Sequence, residues 1–242
     1  MEHSAFVRPV PGSTKAVVFI HGICGTPRHF DFLIPLVPED WSVYNLLLEG
    51  HGGTIDDFSN ARMSQWQTQI DRFLAQLDGT YDQIVIAGHS MGTLLALNAA
   101  QEHAGVQKLF LLAVPLVIHP RLQVSWNCLQ LALNIGDHTG PQLAAAKRCC
   151  GIALDKRLWK YLRWIPNFWS LLRLSRITRA NSSAIQIPVT VLQSERDELI
   201  SLRSLRYLPS HAEKVLLPGS GHYFYSNEDT KKIQNAFSSL FI

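Results

Sequence analysis

With 242 residues, 47% hydrophobic and 17% charged, the chain has material for a large core and lacks the composition of a disordered or fibrous protein. No apolar run reaches the roughly 20 residues of a membrane-spanning helix, and the opening MEHSAFVRPVPGSTK has no basic start followed by an apolar stretch, so a soluble, cytoplasmic chain is expected. The formal charge of +3 is small, but from Arg121 to Arg179 ten cations face only Asp137 and Asp155, while the remainder is net acidic.

Short apolar runs alternate with helix-compatible stretches from the start. AVVFI (Ala16 to Ile20) is followed by PRHFDFLIPLV, where Pro27 suits a first helical turn, and then by SVYNLLL (Ser42 to Leu48). In SQWQTQIDRFLAQLDG, Trp66, Ile70, Phe73, Leu74 and Leu77 recur at helical spacing and Gly79 is placed to stop the helix. QIVIAG (Gln83 to Gly88) leads into a helix carrying Leu94, Leu95, Leu97 and Ala99 that ends before Gly105, and KLFLLAV (Lys108 to Val114) follows. Uninterrupted apolar strands separated by helices predict an α/β fold, a mostly parallel twisted sheet covered on both faces.

The alternation then stops until IPVTVLQ (Ile187 to Gln193) and EKVLLPG (Glu213 to Gly219), and EDTKKIQNAFSSLFI reads as a closing helix. The expected organisation is a core of residues 1–115 and 181–242 with a helical cap, or lid, inserted at 116–180. Trp126, Trp159, Trp164, Phe168 and Trp169 make that insert too apolar for a disordered linker. In LDKRLWKYLRWIPNFWSLLRLSRITRA, Leu158, Trp159, Leu162, Ile165 and Leu171 alternate with cations. The pattern suggests a helix with its apolar side turned inward and a basic outer face, broken in two at Pro166.

The chemistry concentrates where a strand breaks at Gly88-His89-Ser90-Met91-Gly92. A G-x-S-x-G between strand and helix can hold a serine in a strained turn with its hydroxyl exposed, the glycines letting the two elements approach. A serine hydroxyl needs a base, and His222 in LLPGSGHYFY lies in a glycine-rich loop after the last strand. The loop after the penultimate strand, VTVLQSERDELI, offers Asp197 to orient that histidine, with Glu195 in reserve. A developing oxyanion needs preorganised N–H donors, for which the amides of Met91 and of Ile23, in HGICGTP, are placed. The Ile23 side chain, with Trp126, Trp159 and Trp164 of the cap, is a candidate substrate contact.

Taken together, HGICGT, LEGHGG, GHSMG, SERDELI and GSGH resemble the α/β-hydrolase superfamily, and most of all its bacterial carboxylesterase and monoacylglycerol-lipase branch. The resemblance implies Ser90, Asp197 and His222 as a catalytic triad, Ile23 and Met91 as oxyanion amides, and no cofactor. Cys24, Cys128, Cys149 and Cys150 lack metal-ligand spacing, and no metal is expected. The expected activity is hydrolysis of carboxylic esters with an apolar acyl group, short- to medium-chain esters or monoacylglycerols, through an acyl-enzyme. Acyl-CoA thioester cleavage, or binding of a small apolar ligand without turnover, are the alternatives. The basic cap suggests transient contact with anionic lipid, and no nucleic-acid-binding module is present.

Overall fold

A computed structural model describes residues 3–119 and 140–242. Seven strands build one sheet: β1 Phe6–Arg8, β2 Lys15–Ile20, β3 Ser42–Leu46, β4 Gln83–His89, β5 Val106–Leu112, β6 Val189–Ser194 and β7 Glu213–Leu217. Their order is β1-β3-β2-β4-β5-β6-β7. All neighbours run parallel except β1, which lies antiparallel on β3 with Phe6 opposite Asn45. The short edge strand β1 was not anticipated, because three half-exposed residues carry too little periodicity to announce themselves.

Successive side chains of a strand point to opposite faces, and both faces of the central strands are buried. Val18, Ile20, Ile86 and Leu111 pack on one side against the helices α1 Ile55–Asn60, α2 Met63–Leu77 and α3 Met91–Glu102, where Trp66, Ile70 and Leu94 meet them. Val17, Phe19, Val85 and Phe110 pack on the other, against Phe30, Leu33, and Ile233 and Phe237. Truncating such a buried aromatic to Ala costs about 3–5 kcal/mol.

The stretch from Pro27 forms two 3-10 turns, Pro27–Phe30 and Ile34–Leu36, rather than one helix. Pro35 and Pro38 remove the backbone donors that an α-helix through this region needs. Thr54 starts α1 with a capping box, its side chain accepting from Asp57 N–H while Asp57 accepts from Thr54 N–H. Gly79, at φ +79°, takes the left-handed conformation just past α2.

Between β5 and β6 lie α4 Pro141–Cys149, a 3-10 turn Leu158–Trp164 and α5 Ile165–Asn181. Pro166 sits in the first turn of α5, where its missing N–H costs nothing, so the boundary falls just before it. The expected inward apolar side is corrected: Leu158, Trp159, Leu162 and Ile165 are exposed, and only Leu171 of that set is buried. The buried face of α5 combines Leu171 and Leu174 with polar anchors. Asn167 Nδ2 donates to Phe58 O at 3.1 Å, Ser175 Oγ to Pro115 O at 2.5 Å and Thr178 Oγ1 to Asn98 Oδ1 at 3.1 Å. The helix α6 Asn227–Ser238 closes the chain on the opposite face.

Candidate active site

The carboxyl ends of parallel strands share one edge of the sheet, and the loops leaving them converge there. Ile23 follows β2, Ser90 follows β4, Asp197 follows β6 and His222 follows β7. Ser90 adopts φ 52°, ψ −121°, a region that side-chain-bearing residues avoid, between the last residue of β4 and the first of α3. The flanking glycines permit this turn. A Cβ on Gly92 would overlap Ile20 O, and one on Gly88 would lie 2.9 Å from the Gly92 carbonyl. The turn is pinned by Ser90 N–H donating to Leu112 O at 2.9 Å and by Thr93, whose hydroxyl and N–H both donate to Ser90 O.

His222 Nδ1–H donates to the Asp197 carboxylate, at 3.0 Å to Oδ2 and 3.1 Å to Oδ1. In the neutral ring this fixes the tautomer with the lone pair on Nε2, an atom that is buried and has no hydrogen-bond partner among the described residues. Asp197 Oδ1 also accepts from the N–H groups of Leu199 (2.9 Å) and Ile200 (2.8 Å). Burial raises the Asp197 pKa, but the His222 charge and these donors outweigh it and hold the carboxyl below its ordinary 3.8. The buried acid is therefore ionised at neutral pH.

The His222 peptide is held at both ends. Its N–H donates to Glu198 Oε2 at 2.8 Å, and its C=O accepts from His89 Nε2 at 3.1 Å. His89 packs in turn against His29, with ring centroids 3.8 Å apart. Burial drives His29 down to about 3 and His89 well below its usual range, so both stay neutral spacers. His21 is likewise lowered, to about 4, by burial, and its two nitrogens bridge Gly22 O and Leu48 N–H.

The β2 loop abuts the serine: a Cβ on Gly22 would lie 3.0 Å from Ser90 Cβ. The amides of Ile23 and Met91 donate to no acceptor among the described residues, which leaves both available to a ligand. The backbone of the insert is stitched to this loop, with Gly151 N–H donating to Cys24 O at 2.8 Å and accepting through its own carbonyl from Gly52 N–H at 2.6 Å. Trp164 is buried against Phe58, their rings 4.8 Å apart. Trp159, expected as a substrate contact, is 66% exposed and faces solvent. Trp126 lies outside the described residues. Glu195, the reserve acid, is exposed, and no hydrogen bond ties its side chain to His222 among the described residues.

A cleft of about 420 Å³ opens beside this cluster, bounded by His29, Arg148, Cys149, Tyr223 and Tyr225; Ser90 does not line it. Among the described residues one group, Asp71, Glu102 and His103, brings potential metal ligands together. It sits at the far end of α3, roughly 18 Å of helix from Ser90. Sequence reasoning did not find Glu198 or His89 as partners of His222, because both act on its backbone and no local spacing records that.

Residues 17–232 match the model of the alpha/beta hydrolase family, and the chain belongs to that family. Among curated proteins it is similar to the pimeloyl-[acyl-carrier protein] methyl ester esterases of Neisseria meningitidis serogroups C and A, 37% identical over 97 residues, or 40% of this chain. The matched stretch spans 35% and 28% of those relatives, about a third of their length. The fold is shared with one of the metagenome-derived lipolytic enzymes LipS and LipT (TM-score 0.74, 18% identity, 99% of this chain and 97% of that one). It is shared too with the monoacylglycerol lipase of Paleococcus ferrophilus (TM-score 0.70, 15% identity, 99% and 98%). Among the described residues no helix is long and apolar enough to cross a membrane.

Proposed function

We propose that the chain is a serine hydrolase that cleaves carboxylic esters with an apolar acyl group through an acyl-enzyme. One observation carries the reading: a serine on a strained strand-to-helix turn shares a sheet edge with a histidine whose Nδ1–H is engaged by a buried carboxylate and whose Nε2 is unpartnered. The esterase and lipase names among its relatives agree with it.

In this mechanism Ser90 Oγ attacks the ester carbonyl as its proton passes to His222 Nε2. Asp197 remains ionised, orienting the ring and stabilising the imidazolium. The carbonyl oxygen, now negative, receives the N–H groups of Ile23 and Met91; one such donor is worth about 2.7–4 kcal/mol in the transition state. His222 returns the proton to the departing alkoxide, leaving Ser90 acylated. Water then enters by the same route, His222 taking its proton, and releases the acid. The described part of the insert, from residue 140 to 180, acts as a cap over this edge, a role supported by the Gly151 bond to the loop after β2.

A p-nitrophenyl acyl ester tests the proposal. A burst of p-nitrophenol followed by steady turnover is expected, with turnover falling on the order of 10⁶-fold in Ser90→Ala. An unchanged rate in that variant refutes Ser90 as the nucleophile. Profiling acyl length from acetate to palmitate then defines the pocket.

A further inference from the structure

The outer face of the insert is apolar where a solvated helix is polar. Trp159 (66%), Leu162 (65%), Ile165 (59%), Phe168 (41%), Trp169 (68%) and Leu172 (38%) are exposed together along the 3-10 turn and the first half of α5. Side chains of this size amount to roughly several hundred Å² of apolar surface, the scale at which a patch on a monomer commonly marks a contact site. The rotation of α5 is not loose, since Leu171 and Leu174 are buried on its inward side and Asn167, Ser175 and Thr178 hold that side by hydrogen bonds. The exposed face is thus the one that the packing selects.

The charge on this element says what covers it. From Lys156 to Ala180 there are seven cations and no acid. Asp155 and Asp56 engage Arg157, Lys160 and Arg163. Lys156, Arg173 and Arg176 are exposed and make no ion pair among the described residues. On α5, Arg173 and Arg176 lie four and seven residues beyond Trp169, on the same outward stripe. A second copy of this face would set like charges against each other. An anionic bilayer complements both features, because indoles settle at headgroup depth, aliphatic side chains enter below them and guanidinium groups meet lipid phosphates.

We propose that this face docks the protein on anionic lipid surfaces, with α5 lying in the plane of the membrane. The docking does not depend on Ser90 chemistry. The test is sedimentation of the full chain with vesicles of phosphatidylcholine alone or with about a third phosphatidylglycerol, read alongside tryptophan emission. Binding to the anionic vesicles, weakening as salt rises, and a blue-shifted emission are expected. Leu162→Ser/Trp169→Ser is expected to lose about tenfold or more of that binding, and Arg173→Gln/Arg176→Gln to lose its salt dependence, with melting temperature and hydrolysis of soluble p-nitrophenyl butyrate unchanged. Ser90→Ala is expected to bind like the parent, which separates this proposal from the hydrolase reading. Absence of binding at low salt, equal binding to phosphatidylcholine alone, or undiminished binding by the Leu162/Trp169 variant overturns it; the first of these outcomes turns the search to an acidic protein.

Discussion

Replacing Glu198 tests whether the His222 loop is positioned or merely present. Its Oε2 accepts the His222 N–H at 2.8 Å, next to the residue that orients the ring. Glu198→Ala leaves that N–H, on a residue only 2% exposed, without an acceptor. A hydrogen bond to a charged group contributes about 1.5–3 kcal/mol, and the half-buried Glu198 belongs toward the low end. The chain relieves the orphaned donor by shifting the loop, and a displacement near 1 Å at a catalytic group costs on the order of 10²-fold in turnover. The His89 bond to the His222 carbonyl remains and limits the shift. The expected result is therefore a fall in kcat of about 10- to 100-fold, with KM for p-nitrophenyl butyrate changed by no more than about threefold. Glu198→Gln keeps an acceptor oxygen and should recover most of the loss. Steady-state kinetics on all three proteins, with melting temperatures as a control, decide the matter. A kcat within about twofold of the parent in Glu198→Ala, or an equal loss in Glu198→Gln, refutes positioning through this hydrogen bond.

Acidification should unfold the protein through its buried histidines. Burial lowers His21 to about 4 and His29 to about 3, and puts His51 and His89 well below the usual range, so the unfolded chain binds protons first as pH falls below about 6.5. Their stabilising contribution is complete above that pH and is lost progressively toward pH 4, on the order of a few kcal/mol. Asp197, held below 3.8, adds to the loss only at still lower pH. A melting temperature that stays flat between pH 7 and 4.5 contradicts the reading. Gly151→Ala should loosen the insert from the loop after β2, because its Cβ would overlap Gly25 O. A fall of about 2–4 °C in melting temperature with reduced kcat is expected, and wild-type kinetics would show that the two segments are uncoupled.

What could be read from the sequence follows from how local each signal is. The strands ending at Ile20 and His89 are buried on both faces, so their uninterrupted apolar runs announce them and the loops that carry Ile23 and Ser90. The edge strand ending at Leu217 is exposed over much of its length and announces the His222 loop only by its terminal Val215, Leu216 and Leu217 before Pro218 and Gly219. Glycines around Ser90 are equally legible, since the close approach of β4 and α3 excludes any side chain there. Glu198 and His89 escape such reading because they grip the backbone of a residue far along the chain, where hydrogen bonding is indifferent to the identity of the residue held. The insert was misread for a related reason. Its tryptophans and leucines carry a helical period, but period does not say which face is inward, and in α5 the buried face combines Leu171 and Leu174 with three short polar side chains that have partners on α1, α3 and the β5 exit. Hydrophobicity would turn Trp169 and Ile165 inward in a chain surrounded only by water. The observed rotation leaves them outside, so the same observation that corrects the sequence reading also supports the proposed contact of this face with a second apolar phase.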